Sequence, residues 1–359
     1  MCETVLMSAL PINADYTLLT IFRTITLSFL TVAATLCLFI VLRRMVHNRL
    51  KARRSLSKAR FQDFLIKVIN SDQPGANLDH SPACDIRDRT EIFVHYFQTL
   101  RGEKLKVLAD MISASRVEAD IIKATRHGVR GLRMRAVRTL SYLNTQASLQ
   151  VIYESLFSVD KYVRLTAMRC LIRRRAACYL PDIIDSFIEA FPKDYKLLAG
   201  ILADFGGDIT QTLENLIVTS DDDTVVTACL EALCLLRPSA TDLNFEVLLH
   251  TQSETVRAAA VALSSITTHP GTPDILRLGL RDDAVSVKIR AAKMACELKR
   301  SDLTSDLYAL TKDPVMWVQY WALKAIWVTG ASGQKFVNAL SQSDSMAADV
   351  AMEMRSGYV

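Results

Sequence analysis

The chain holds 359 residues, half of them apolar, with 43 Lys and Arg against 38 Asp and Glu for a formal charge of +5. With only 12 Gly and 9 Pro and no strand-rich region, the composition suits a helical protein of more than one segment. Eight cysteines are scattered without a CxxC pair or a His at ligand spacing, which argues against a disulfide framework or a metal centre. They read as small apolar fillers in a reducing compartment.

In chain order, residues 1–16 form an N-terminal segment and residues 17–42 a helix built around Thr24 to Leu42, nineteen residues without a charge. At 1.5 Å per residue that run crosses the apolar core of a bilayer. A cleaved signal would need a basic start, a shorter apolar run and a small-residue cleavage site, and the run has none of these. The first twenty-two residues carry no Lys or Arg, whereas Arg43, Arg44, Arg49, Lys51, Arg53, Arg54, Lys58 and Arg60 follow the run. The positive-inside rule then places the N-terminus outside and the remainder in the cytoplasm, as a single-pass protein of the inner cell membrane. Residues 43–70 keep helical spacing through Val46, Leu50, Phe61, Phe64, Leu65, Val68 and Ile69, and this basic juxtamembrane helix is expected to meet anionic lipid. Residues 71–88, with Pro74, Gly75 and Pro82, read as a linker.

Residues 89–333 carry a repeat. Seven small residues, Ala136, Ala167, Ala199, Cys229, Ala260, Ala291 and Ala322, recur at intervals of 31, 32, 30, 31, 31 and 31. Four positions earlier stand Leu132, Val163, Tyr195, Val225, Val256, Val287 and Val318; four later stand Leu140, Leu171, Ala203, Leu233, Ser264, Ala295 and Ile326. Each trio lies on one helical face, one turn apart. Eleven residues before the first mark come Ile121, Ile152, Ile184, Glu214, Phe245, Leu276 and Leu307, with Leu213 able to serve for Glu214, which places a second helix in each unit. A unit of about thirty residues with two short helices cannot bury its own apolar face, so neighbours must stack. The small residue allows two helices to approach at their crossing. The stretch from Phe93 to Met111 fits the register weakly, as an N-terminal cap would, and residues 334–359 read as a C-terminal cap of closing helices.

These positions resemble the HEAT repeat family, whose second helix carries an Asp, then Val-Arg, then spaced Ala and Leu; the best match is Asp160, Val163, Arg164, Ala167 and Leu171. The residue after the Val mark is Arg133, Arg164, Lys196, Val226, Arg257, Lys288 or Gln319, five of seven basic. The Asp is at Asp160 and Asp222 and is displaced at Asp283 and Asp313. The resemblance covers roughly residues 90 to 340. It implies an all-α fold in which one transmembrane helix precedes a right-handed HEAT-like α-solenoid of about seven to eight helix pairs. It also implies that Arg133, Arg164 and Arg257 pair with Asp or carbonyl groups of adjacent repeats.

Residues 116 to 175 hold 13 basic and 4 acidic side chains and residues 176 to 283 hold 6 and 17, so local charge matters more than the total. Arg126, Arg130, Arg135, Arg138, Arg169, Arg173, Arg174 and Arg175 fall outside the ladder and are candidates for a surface facing lipid or an acidic protein segment. All three tryptophans lie in the last clear repeat. Trp317, Trp321 and Lys324 share a stripe that is either a partner anchor or, as preferred here, buried beneath Phe336, Val337 and Leu340. No catalytic residue, cofactor site or metal site emerges. HEAT-repeat metal hydroxylases need His-Glu pairs, and the six His here precede Asn48, Ser81, Tyr96, Gly128, Thr251 and Pro270. HEAT-like DNA glycosylases use a basic groove that the Arg-rich repeats imitate, but the tether and the acidic second half disfavour nucleic acid. Phycobilin lyases of this type find no residue support.

The sequence therefore reads as a membrane-tethered scaffold that positions a protein partner at the cytoplasmic face. That partner would be a membrane enzyme or its cytosolic regulator. Bacterial membrane-anchored HEAT proteins are similar to accessory subunits of membrane enzymes such as glycosyltransferases. The alternative is a nucleic-acid-binding or glycosylase-type module using the Arg-rich repeats.

Overall fold

The computed structural model describes residues 12–70, 78–267, 269–342 and 346–356, and among them every regular element is a helix. The chain divides into two compact units, residues 1–117 and 118–359. The division falls in the first turn of a helix and not in the stretch 71–88.

The first unit contains helices α1 (Ile12–Asn70), α2 (Ile86–Thr99) and α3 (Glu103–Ser113), and the start of α4 (Arg116–His127). No Gly or Pro interrupts the sequence between Pro11 and Pro74, so nothing breaks α1 where its apolar run gives way to basic residues. The apolar run and the juxtamembrane segment, read separately from sequence, are one helix of 59 residues. Within the apolar part the hydroxyls of Thr26, Ser28, Thr31 and Thr35 donate to carbonyls three or four residues back. This apolar part thus satisfies these four hydroxyls from its own backbone. Its side chains from Phe22 to Leu42 are exposed.

The end of α1 turns inward. Phe61 and Leu65 are fully buried as α1 packs on α2 and α3, with the Phe61 and Phe93 rings edge to face at 5.8 Å. Asp85 caps α2 by accepting from the Arg87 amide at 2.7 Å. Asp88, one turn on, is buried; Arg54 Nε and Nη2 donate to its two oxygens at 2.6 and 2.5 Å, and Lys58 stands at 3.4 Å. Burial works to raise the Asp88 carboxyl, but these cations overcome it and hold it below the usual range. Two of the basic residues of this helix, the exposed Arg54 and the half-exposed Lys58, are therefore engaged by a carboxylate of the protein itself. Residues 78–88 also carry structure, since Leu78 is buried in a short turn at Leu78–His80 and Ser57 donates to the Ala83 carbonyl at 2.6 Å. The first part of the expected linker, residues 71–77, lies outside the described residues.

The second unit runs from α4 through α5 (Arg130–Leu140), α6 (Gln146–Glu154), α7 (Lys161–Arg173), α8 (Leu180–Ala190), α9 (Tyr195–Ala203), α10 (Thr210–Thr219) and α11 (Asp223–Leu236). It continues with α12 (Phe245–Leu249), α13 (Glu254–Ile266), α14 (Thr272–Leu280), α15 (Val285–Glu297), α16 (Thr304–Leu310), α17 (Met316–Val328), α18 (Ala331–Leu340) and α19 (Met346–Ser356). Alternate helices make a layer. Each of α5, α7, α9, α11, α13, α15 and α17 packs on the next, and α19 closes on α17. The intervening helices pack against this layer, with α12, α14 and α16 also touching in turn.

All seven small marks lie on this layer and are buried. So are all seven residues from Ile121 to Leu307 on the intervening helices, Glu214 included alongside Leu213. Tyr195 departs from the pattern. The earlier mark is the third residue of its helix in six repeats, but Asp194 accepts from the Leu197 amide at 3.2 Å and starts α9 at Tyr195 itself, leaving that ring half-exposed.

The basic ladder joins neighbours across the stack. Arg133 donates to the Thr125 carbonyl and Ser158 Oγ at 3.0 and 2.7 Å, Arg164 pairs with Glu189 at 2.8 Å, and Lys288 pairs with Asp313 at 2.9 Å. Arg257 grips Asp282 with two bonds at 2.7 and 2.9 Å and also donates to the Thr251 carbonyl. The partner is Asp282, the neighbour of the Asp283 that the family pattern marks, and Asp282 also accepts from the Ala284 amide at the helix start. Gln319 continues the ladder, its amide donating to the Asp313 carbonyl at 2.7 Å.

Candidate interaction face

On each helix of the layer, the residues one before and two after the small mark fall on a stripe beside the packing stripe. In order these are Arg135 and Arg138, Thr166 and Arg169, Leu198 and Ile201, Ala228 and Glu231, Ala259 and Ala262, Arg290 and Lys293, and Trp321 and Lys324. The early and late repeats thus put cations on this stripe, and the middle repeats put small and apolar residues there together with the acidic Glu231.

The eight candidate arginines separate into two groups. Arg126 pairs with Glu154 at 3.1 Å, Arg130 with Asp160 at 2.5 Å and Arg175 with Asp208 at 2.9 Å. Arg174 is half-buried and donates to Leu140 and Ser141 carbonyls and to Ser148 Oγ; burial pushes its pKa down. Arg173 donates to Ser141 Oγ and lies over the Tyr142 ring at 4.8 Å. These five tie one repeat to another. Arg135, Arg138 and Arg169 make no ion pair among the described residues; Arg169 is exposed and the other two half-exposed.

The tryptophans depart from the burial expected of them. Trp317 is 49% exposed and Trp321 half-exposed. Phe336 packs instead on Tyr308, centroids 4.3 Å apart, because Gly333 brings α18 against the end of α17: a Cβ there would meet the Ile326 carbonyl at 1.9 Å. The Trp321 ring has the ammonium of Lys293 at 4.5 Å and that of Lys324 at 4.8 Å from its centroid. Lys293 escaped sequence reading, although it stands one repeat before Lys324. Beside it, Arg290 Nη2 reaches back over α13 and donates to both Glu231 oxygens at 2.9 Å. That bridge joins α11 to α15 above the small Ala262.

Cys170, Cys229 and Cys234 serve as core atoms, whereas Cys37 and Cys178 are exposed. Cys229 fills an alanine position and Cys234 lies near it, both with thiols pushed up to about 12 by burial; such thiols are inert. Among the described residues no group of three or more His, Cys, Asp or Glu is placed to hold a metal.

No protein-family model matches the chain, and no curated protein matches it. Among solved structures it is similar to Kap121p bound to Ste12p, at 12% identity and TM-score 0.35, over 74% of this chain and 40% of that one. It is also similar to the karyopherin Kap121p bound to the extreme C-terminus of the phosphatase Cdc14p, at 11% and 0.31, over 83% and 47%. A third is the CpcE and CpcF complex of phycocyanin lyase from Nostoc sp. PCC7120, at 17% and 0.27, over 80% and 98%. The chain therefore spans less than half the length of the karyopherin. With TM-scores this low, nothing about function follows from these likenesses.

Proposed function

We propose that the chain is a membrane-anchored HEAT-like scaffold, not an enzyme, that holds a protein partner at the cytoplasmic face of the inner cell membrane. The anchor is α1: its stretch from Phe22 is long and apolar enough to span, and no part of the apolar window is buried in the protein. This favours a membrane helix over the core helix of a soluble domain. Arg43, Arg44, Arg49, Lys51 and Arg53 are exposed just beyond it. They set the orientation and meet anionic headgroups, each worth about 1 kcal/mol near the surface.

The observation that carries the reading is the division of the arginines. Five are consumed by contacts between repeats, whereas Arg135, Arg138 and Arg169, on adjacent helices of one face, make no ion pair among the described residues. Cations that stabilise no repeat contact are available to an acidic surface, and the tether raises the local concentration of whatever they hold. The test is crosslinked capture from membranes with full-length protein and with R135E/R138E/R169E. A partner recovered by the first and lost by the second is the expected outcome. Capture unchanged by charge reversal, or tight salt-sensitive DNA binding that the reversal removes, would replace the reading with another.

A further inference from the structure

We propose that the end of this face formed by α15 and α17 is a docking subsite for an acidic peptide segment. A carboxylate of that segment would be received between Lys293 and Lys324 over Trp321. The inference rests on the scaffold reading above and adds to it the chemistry of the partner.

Two ammonium groups lie over one indole, at 4.5 and 4.8 Å, and neither has a carboxylate partner among the described residues. Lys324 donates to the Tyr320 hydroxyl at 3.4 Å and lies 5.5 Å from the centre of the Tyr320 ring. Glu297, one turn beyond Lys293 on α15, is exposed and makes no ion pair with it. The chain itself shows what this face accepts: one turn before Lys293, Arg290 holds the Glu231 carboxylate with two bonds. Lys293 and Lys324 stand two and three repeats beyond Glu231 at the same register position, as cations where Glu231 is an anion. The indole restrains both lysine stems, so less side-chain freedom is lost when an anion arrives. Trp317 sits one turn before Trp321 and is half exposed, offering apolar area for the residues flanking a docked carboxylate.

The same geometry disfavours a nucleic acid strand. Strand binding relies on bases stacking on open aromatic faces, and the ammonium groups already occupy the Trp321 ring.

The experiment reads Trp321 emission in the full chain in detergent, in a W317F/W327F background that leaves it the sole indole. The probes are a short oligoglutamate peptide, an oligoglutamine control, inorganic phosphate and a single-stranded oligonucleotide. The expected result is a saturable change with oligoglutamate alone, weakened about tenfold or more in K293Q/K324Q and kept in K293R/K324R. R135E/R138E/R169E should leave this signal intact, so loss of partner capture there and loss of peptide binding here are separate failures. No change with oligoglutamate, equal affinity in K293Q/K324Q, or an equal change with phosphate or the oligonucleotide would each overturn the proposal. If K293Q/K324Q loses its helical melting transition, K324Q alone provides the comparison.

Discussion

Ala260 has no exposed surface, and a leucine there would drive α13 from its neighbours. A260L should cost about 1–3 kcal/mol through overpacking, read as a lower urea midpoint with an unchanged slope; an unshifted midpoint would mean the stack tolerates separation at its crossings. G333A should cost a similar amount, since its methyl would meet backbone rather than a yielding side chain. At this scale much was legible. The interval between small residues marked seven buried sites because a helix crossing tolerates little else. The fate of the arginines was hidden, since Arg174 and Arg175 reach partners 26 to 34 positions away and only coordinates bring such groups together. Lys293 was visible in the register but lost because alignment on the small residues directs attention to the packing stripe.

The ladder makes the helix pairs sensitive to acid. Asp282 and Asp313 are subject to burial, which raises their carboxyls, but Arg257 and Lys288 respectively, with local amides, prevail and hold both low. A carboxyl depressed in the folded state contributes stability that is complete above its unfolded pKa of about 3.9 and is lost as pH falls through the folded value. Thermal stability of the isolated full chain should therefore be flat from neutral pH to about 5 and decline below about 4. Loss of stability already at pH 6 would assign it to other groups. In α1 the analogous change is R54A, which strips two charged hydrogen bonds from a buried carboxylate and should cost about 1.5–3 kcal/mol. Proteolysis within residues 86–113 would report it, and a variant no more susceptible than the parent would show the pair to be dispensable. The unbroken α1 was legible from the absence of Gly and Pro. The reading divided it because hydropathy changes at Leu42, although hydropathy does not end a helix.

For the molecule as a whole, the proposed orientation puts the exposed thiol of Cys178 in the cytoplasm. In a C2S background, a membrane-impermeant maleimide should leave it unlabelled in intact cells and label it in inverted vesicles; the reverse would invert the topology. The repeat architecture was legible because its period is written in the chain. The partner was not, because a binding face is defined by what the stack leaves unpaired. The most direct test of the scaffold places a photo-crosslinking amino acid at Arg169, on the unpaired face, or at Val218, exposed on α10, in membrane-bound protein. A discrete protein adduct from position 169 and none from 218 is the expected result. An adduct from 218 alone, or from neither, would contradict the account.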